Sequence, residues 1–322
     1  MKNVSILIPE TGVVEAIADP HYLFSAVNQF LMSAGKPALF NVQLVGVSRE
    51  TRLANSLFSV KADALLEDVR STDLIFIPAI SGNIEQAIEK NSRLLPWIVN
   101  HYKQGAEVAS LCIGAFLLAS TGLLNGKKCS TQLYSGNEFR RMFPDVELVD
   151  GSIITEESGI YSSGGANSYW NLLLYLVEKY TDRDTAILAS KYFAVDIDRE
   201  SQASFMMFKG QKDHEDKEIL KAQEFIEDNY QEKITVDQLA DKFMMGRRSF
   251  ERRFKKATNN TVVEYIQRVK IEAAKRSFES SRKNINEVMF DVGYTDTKAF
   301  REVFKKITGL TPIEYRNKYN KQ

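Results

Sequence analysis

Cysteine and histidine are scarce: 2 and 3 among 322 residues. That excludes a disulfide scaffold, fits a reducing compartment, and leaves too few ligands for a protein built on several zinc ions. Long apolar runs are also missing. The longest nearly apolar stretch, Ile113 to Leu124, is interrupted by Ser120 and Thr121, whereas a membrane-spanning helix needs about 20 residues. The apolar start, Val4 to Ile8, stops at Pro9-Glu10 and is too short for a signal peptide. A soluble, cytoplasmic chain is expected. With 44% apolar and 26% charged residues, the composition excludes a wholly disordered or collagen-like chain, and the length suggests two domains.

Net charge is absent as well, because 42 basic residues balance 42 acidic ones. The balance is not local. From Phe243 to Gln322 there are 19 basic and 9 acidic residues, a net of +10, so the remainder carries −10. Charge acts over a screened range of about 10 Å, so one basic end of a neutral protein can still attract a polyanion.

The pattern of apolar residues changes near residue 210. Before it, the apolar runs Val4–Ile8, Val42–Val47, Asp73–Pro78 and Val108–Cys112 alternate with helical patterns over Tyr22–Ala34, Ile84–Lys103 and Ala115–Ser120. Strands alternating with helices imply an α/β fold, a parallel sheet with helices on both faces. The stretch Lys209 to Lys217 lacks large apolar side chains and reads as a linker. Beyond it every segment has helical period. The expected domains are 1–208, a linker over 209–217, and an all-α domain over 218–322.

The helical end repeats itself. At an offset of 50, Phe250, Phe254, Lys255, Lys256, Thr258, Thr261, Glu264 and Tyr265 match Phe300, Phe304, Lys305, Lys306, Thr308, Thr311, Glu314 and Tyr315. A short amphipathic helix (Val236–Phe243, then Asn286–Val292) and a turn (Met244–Gly246, then Gly293–Asp296) precede each copy. Helix, short turn, helix is the unit of DNA-binding helix-turn-helix motifs. In the first copy Phe250 and Phe254 share an inward stripe, and Arg248 and Arg252 share the opposite one, flanked by Arg247 and Glu251. Guanidinium groups suit guanine edges, and Lys255 and Lys256 at the helix end suit phosphates. The second copy turns Thr297, Lys298 and Arg301 outward, with Lys305 and Lys306 at its end. Glu302 weakens that face. Between the copies, Val262–Ser277 reads as one helix of roughly 24 Å, a rod able to hold two readers near one turn of DNA apart. The alternative is a plain helical bundle with a solvated basic face; repeat, turn spacing and charge together favour DNA.

This region resembles the DNA-binding domain of AraC/XylS-type transcription regulators over about Ile219 to Tyr319. The resemblance rests on Leu239-Ala240, Arg253–Lys256, Gly293-Tyr294, Phe300, Phe304–Lys306 and the ending Gly309-Leu-Thr-Pro-Ile-Glu-Tyr-Arg316. Asn259-Asn260 departs from the expected glycine, and Met289 from the usual alanine.

In the first domain, Val108–Cys112 followed by Ile113-Gly114-Ala115-Phe116 reads as strand, sharp turn, helix. A cysteine exposed at such an elbow, near a helix N-terminus, is expected to have a depressed thiol pKa. The run Cys112–Gly126 and Tyr161-Ser-Ser-Gly-Gly165 resemble the class I glutamine-amidotransferase-like, PfpI-type fold, a flavodoxin-like sandwich. Its position ahead of an AraC-type domain is similar to the GlxA group of regulators. The resemblance implies a histidine after Thr131 in the hydrolytic relatives; here that residue is Gln132. His101 is expected on the far side of the sheet, and His21 fits no recognisable dyad. The site therefore reads as degenerate: no catalytic residue, no cofactor and no metal, with Glu15, Cys112 and Gln132 as candidate contacts to a small-molecule effector. Cys129 reads as a small buried residue. The expected partners are double-stranded DNA, such an effector and a second copy bound through the first domain. The alternative is a cysteine-dependent hydrolase or isomerase tethered to DNA.

Overall fold

The computed structural model describes residues 1–53, 57–165, 167–197, 208, 210–212 and 214–320. The chain forms two compact units, Met1–Gln202 and Ala203–Gln322.

Strands without a polar face must be covered on both sides. Strand β1 (Lys2–Leu7) buries Val4, Ile6 and Leu7 completely, and all four residues of β6 (Leu74–Ile77) are buried. With β2 (Phe40–Gly46), β5 (Ala64–Leu65), β7 (Glu107–Ser110), β10 (Ile154–Glu157) and β11 (Ile160–Ser163) they make a seven-stranded sheet, ordered β10-β11-β7-β6-β1-β2-β5. Only the edge pair β10–β11 is antiparallel. Two short ribbons, β3 (Glu50–Arg52) with β4 (Ser59–Lys61) and β8 (Lys128–Cys129) with β9 (Glu147–Leu148), stand outside it.

One face is covered by α1 (Val14–Ser33), α6 (Tyr169–Tyr180) and α7 (Arg183–Phe193), whose Phe24, Val27, Leu172, Leu176 and Ala186 join a single apolar cluster. The other is covered by α2 (Ile84–Lys90), α3 (Leu94–Lys103), α4 (Ala115–Ser120) and α5 (Gly136–Met142). The chain order reverses between β1 and β6, and ligands of open parallel sheets bind outside the carboxyl ends of strands at such a switch point.

Two expectations about helices change. The segment expected to begin at Tyr22 starts at Val14 and carries buried Pro20 in its interior. The expected helix 84–103 is broken at Asn91, whose side-chain nitrogen donates to Thr11 Oγ1 (3.0 Å) and Ala87 O (2.7 Å) while its oxygen accepts the Glu10 N–H (2.8 Å).

His101 lies in α3, as expected on the face opposite Cys112. It is 3% exposed, with its ring 4.1 Å from that of Trp97, and Nδ1 has no hydrogen-bond partner. Burial holds its pKa below the ordinary histidine value. The unfolded chain therefore binds a proton that the folded chain refuses. Stability from this residue is complete above about pH 6.5 and falls as pH drops toward the folded pKa, by up to about 1.4 kcal/mol per pH unit. Urea midpoints compared at pH 7.5 and 5.5 should show that decline for the wild type and a smaller one for His101→Leu.

The second unit contains seven described helices: α8 (Lys217–Asp228), α9 (Val236–Lys242), α10 (Arg247–Thr258), α11 (Val262–Ser280), α12 (Ile285–Asp291), α13 (Thr297–Thr308) and α14 (Pro312–Tyr319). Two apolar clusters share α11. Phe250 and Phe254 anchor one, Phe300 and Phe304 the other.

Candidate nucleic-acid interface and elbow site

The repeat folds as two helix-turn-helix readers, α9–α10 and α12–α13. Each first helix opens on a capping box, Thr235 with Gln238 and Asn284 with Glu287, so two orphan donors are satisfied reciprocally. The turns differ in chemistry. Gly293 takes φ +73° in the second reader, and Met244 takes φ +52° in the first, 94% exposed. Asn259, where the resemblance implies glycine, ends α10 with φ +55°, as Gly309 ends α13 with φ +74°. Asparagine is among the few residues that accept this left-handed position, so the departure preserves the cap.

The inward and outward stripes fall as the spacing predicts. Phe250, Phe254, Phe300 and Phe304 are fully buried. Arg248, Arg252, Lys255, Lys256, Lys298, Arg301, Lys305 and Lys306 are exposed, and Thr297 and Glu251 are half-buried. Arg248 and Arg252 are in no salt bridge among the described residues. Arg247 is held: its guanidinium meets Asp237 at 3.1 and 3.2 Å and Glu251 at 3.4 Å. Lys255 Nζ donates to Asn259 O at 2.8 Å.

Residues 209 and 213 of the segment read as a linker lie outside the described residues; the rest of it packs on the helical unit. Just before it, Phe208 sets its ring 5.0 Å from that of Tyr265, and its N–H donates to Glu272. Gln211 accepts from buried Gln223 and from Asn260. Lys212 pairs with Glu227 at 2.7 Å. Asp216 caps α8 and grips Arg253 of α10 at 2.6 and 2.9 Å, which holds its carboxyl below the usual range. Sequence reading missed this tether, because it joins residues 37 apart through one surface arginine.

At the elbow, β7 runs through Leu111 into a single helical turn, Cys112–Gly114, and then α4. Cys112 has φ +55°, a strained conformation for a side-chain-bearing residue. Gly114 is required for packing: an added Cβ would lie 2.6 Å from the carbonyl oxygens of both Ile77 and Pro78. The Cys112 N–H donates to Ser163 Oγ at 3.3 Å, and Thr131 Oγ1 donates to its carbonyl at 3.0 Å.

The expectation of an exposed, acidified thiol is overturned. Cys112 is 5% exposed, and burial pushes its pKa up to about 11, which the backbone hydrogen bond at Ile113 offsets only in part. Cys129 is fully buried, as expected, and pushed up to about 12.

Of the candidate ligand contacts, Glu15 is exposed on the first turn of α1, and Gln132 is half-buried beside Thr131. The structure adds Asp19, one helical turn beyond Glu15. Tyr169 OH donates to Asp19 Oδ2 at 2.6 Å. Burial, aided by Glu15, holds the Asp19 carboxyl above its ordinary range despite bonds from Tyr169 and Trp170. Burial, the hydrogen bond to Asp19 and the charges of Asp19 and Glu15 push the Tyr169 hydroxyl above its ordinary range, so this corner gathers two carboxylates and a phenol near the Cys112 thiol. Among the described residues no His, Cys, Asp and Glu cluster could hold a metal ion, and no helix is long and apolar enough to cross a membrane.

Comparison with known proteins agrees with this geometry. Residues 21–179 match the DJ-1/PfpI family, and residues 239–318 match a helix-turn-helix domain. The HTH-type transcriptional regulator ArgR of Pseudomonas aeruginosa is 24% identical over 216 residues, 67% of this chain and 65% of that protein. The regulator GbdR of the same species is 24% identical over 264 residues, 82% of this chain and 71% of that one. Among solved structures, a protein from Vibrio parahaemolyticus shares the fold at a TM-score of 0.53 and 22% identity. It covers 59% of this chain and 98% of its own.

Proposed function

We infer that the protein, whose residues 21–179 match the DJ-1/PfpI family and residues 239–318 a helix-turn-helix domain, is a DNA-binding transcriptional regulator of the AraC type. The observation that carries this is the pair of equivalent helices, α10 and α13, each with buried phenylalanines behind an exposed cationic face. In this reading Arg248 and Arg252 contact bases in one major-groove segment, and Thr297, Lys298 and Arg301 contact the next. Lys255, Lys256, Lys305 and Lys306 contact phosphates. Arg247 and Glu251 border the first face, with Arg247 steadied by Asp237. The protein works in the cytoplasm, where its DNA is.

The first domain senses a small effector at the corner of Glu15, Asp19, Cys112 and Gln132, and it does no chemistry there. A thiol with a pKa near 11 is ionised in only about one molecule in ten thousand at pH 7, and Gln132 offers no base. Cys112→Ala should therefore fold and bind DNA as the wild type does. Neither protein should turn over amide, peptide or aldehyde substrates; a robust rate lost in the variant would establish the tethered-enzyme alternative. Effector binding should shift operator affinity by about 1–3 kcal/mol.

The full chain is a homodimer through its first domain, since closed twofold association is the commonest oligomer. Light scattering should give twice the chain mass, and the fragment from Asp216 to Gln322 should scatter as a monomer. A monomeric full chain at micromolar concentration overturns this.

A further inference from the structure

The readers meet at a buried lysine. Lys270 stands near the middle of α11, beside the apolar stripe of Val262, Ile266, Val269 and Ala273, and is 7% exposed. Its ammonium donates to Val292 O at 2.9 Å, Glu232 O at 3.2 Å and Gly293 O at 3.4 Å, with the Tyr294 ring 5.7 Å away. Glu232 belongs to the loop that leads into the first reader. Val292 and Gly293 form the turn of the second. An ammonium has three donors, and here each meets a carbonyl, two from the turn of the second reader and one from the loop that leads into the first.

The backbones are also pressed together at this point. A Cβ added to Gly293 would lie 2.1 Å from Gln231 O and 2.6 Å from Lys270 Nζ. Tyr230, on the same loop, packs against both apolar clusters. Burying an ammonium among carbonyls is costly unless its donors are all used. An apolar residue would fill the same space at less cost, so plain packing does not call for a lysine here.

We propose that Lys270 is the positioning residue that holds the two readers at one separation, and so fixes the number of base pairs between the two half-elements of the operator. This rests on the DNA-binding reading above. Apolar packing along α11 tolerates small pivots, whereas hydrogen bonds to fixed carbonyls are directional. One base pair adds about 3.4 Å along the duplex, so a joint held within hydrogen-bond tolerance distinguishes adjacent gaps.

Two measurements on the full chain test this. Spin labels at Lys256→Cys and Lys306→Cys, equivalent exposed positions, report the inter-reader distance by pulsed dipolar spectroscopy. The native cysteines are buried, and dilution with unlabelled chain removes distances between copies. Lys270→Met, close in size but without donors, should at least double the width of the distance distribution, while Lys270→Arg should keep it within about a third of wild type. In selection from a random DNA library, the wild type should enrich two half-elements at a single gap. Lys270→Met should enrich the same half-elements with gaps spread over one base pair on either side. Should Lys270→Met fail to fold by circular dichroism, Lys270→Gln takes its place in both. A folded donor-deficient variant with wild-type width and the same single gap overturns the proposal. If the wild type enriches no DNA, the DNA-binding reading fails, and the label distances still decide whether Lys270 holds the joint.

Discussion

Phe254→Ala should unfold the first reader, at a cost of about 3–5 kcal/mol. The ring is fully buried, 5.3 Å from Tyr265 edge to face and 5.7 Å from Phe250. It sits where α10 meets α11, so the cavity cannot close without moving the helix that carries the reading face. Aromatic pairs add about 0.5–1.5 kcal/mol beyond the area they bury, and this residue makes two. Phe304→Ala should behave alike in the second reader, since Phe304 faces Tyr315 at 5.5 Å and Phe278 at 5.7 Å. Phe290 is the control. It is 60% exposed, and Phe290→Ala should change stability by less than about 0.5 kcal/mol. Urea titrations followed by circular dichroism decide the matter; if Phe254→Ala and Phe290→Ala cost the same, the inward stripe is wrongly assigned.

These stripes were legible in the sequence because helical period and an internal repeat report the same faces twice. The readers' helices lie within a residue or so of where the spacing puts them. What stayed hidden depends on contacts far apart in the chain. Nothing around Asn91 says that its side chain will hold Thr11 and Glu10. Pro20 argues against a helix interior, yet α1 runs through it. Asp19 lies before the helix expected from Tyr22, and nothing in the sequence joins it to Tyr169, 150 residues away, whose hydroxyl donates to it. The elbow itself was readable, but the state of its thiol was not. A turn motif predicts backbone shape, whereas ionisation depends on burial by the whole fold, and burial raised the pKa that a helix N-terminus alone would lower. Lys270 did leave a signal, a charge beside an apolar helical stripe. Its partners, being backbone carbonyls, leave none.

The reading face of the first copy should separate specificity from affinity. Arg248 and Arg252 are four residues apart on the exposed side of α10, and no salt bridge among the described residues engages them. Arg247 is committed to Asp237 and Glu251, and Arg253 to Asp216. Base contacts discriminate while phosphate contacts do not. Arg248→Ala or Arg252→Ala should therefore cost about 1–3 kcal/mol on the specific site, roughly 5- to 150-fold, and little on random DNA. Lys256→Ala should weaken both kinds of DNA and lower the salt slope by about one. Lys255→Ala should do the same after its bond to Asn259 is lost. In the second copy Glu302 stands where the first has Arg252, and a carboxylate there repels phosphate. Arg301→Ala should therefore cost less than Arg252→Ala. Each variant is titrated against specific and scrambled duplexes at several salt concentrations, with folding checked by circular dichroism. Folded Arg248→Ala and Arg252→Ala proteins that both keep wild-type discrimination would place base reading on another face of the helix. A wild type without affinity for any duplex at low salt, with or without effector, would remove DNA from the account altogether.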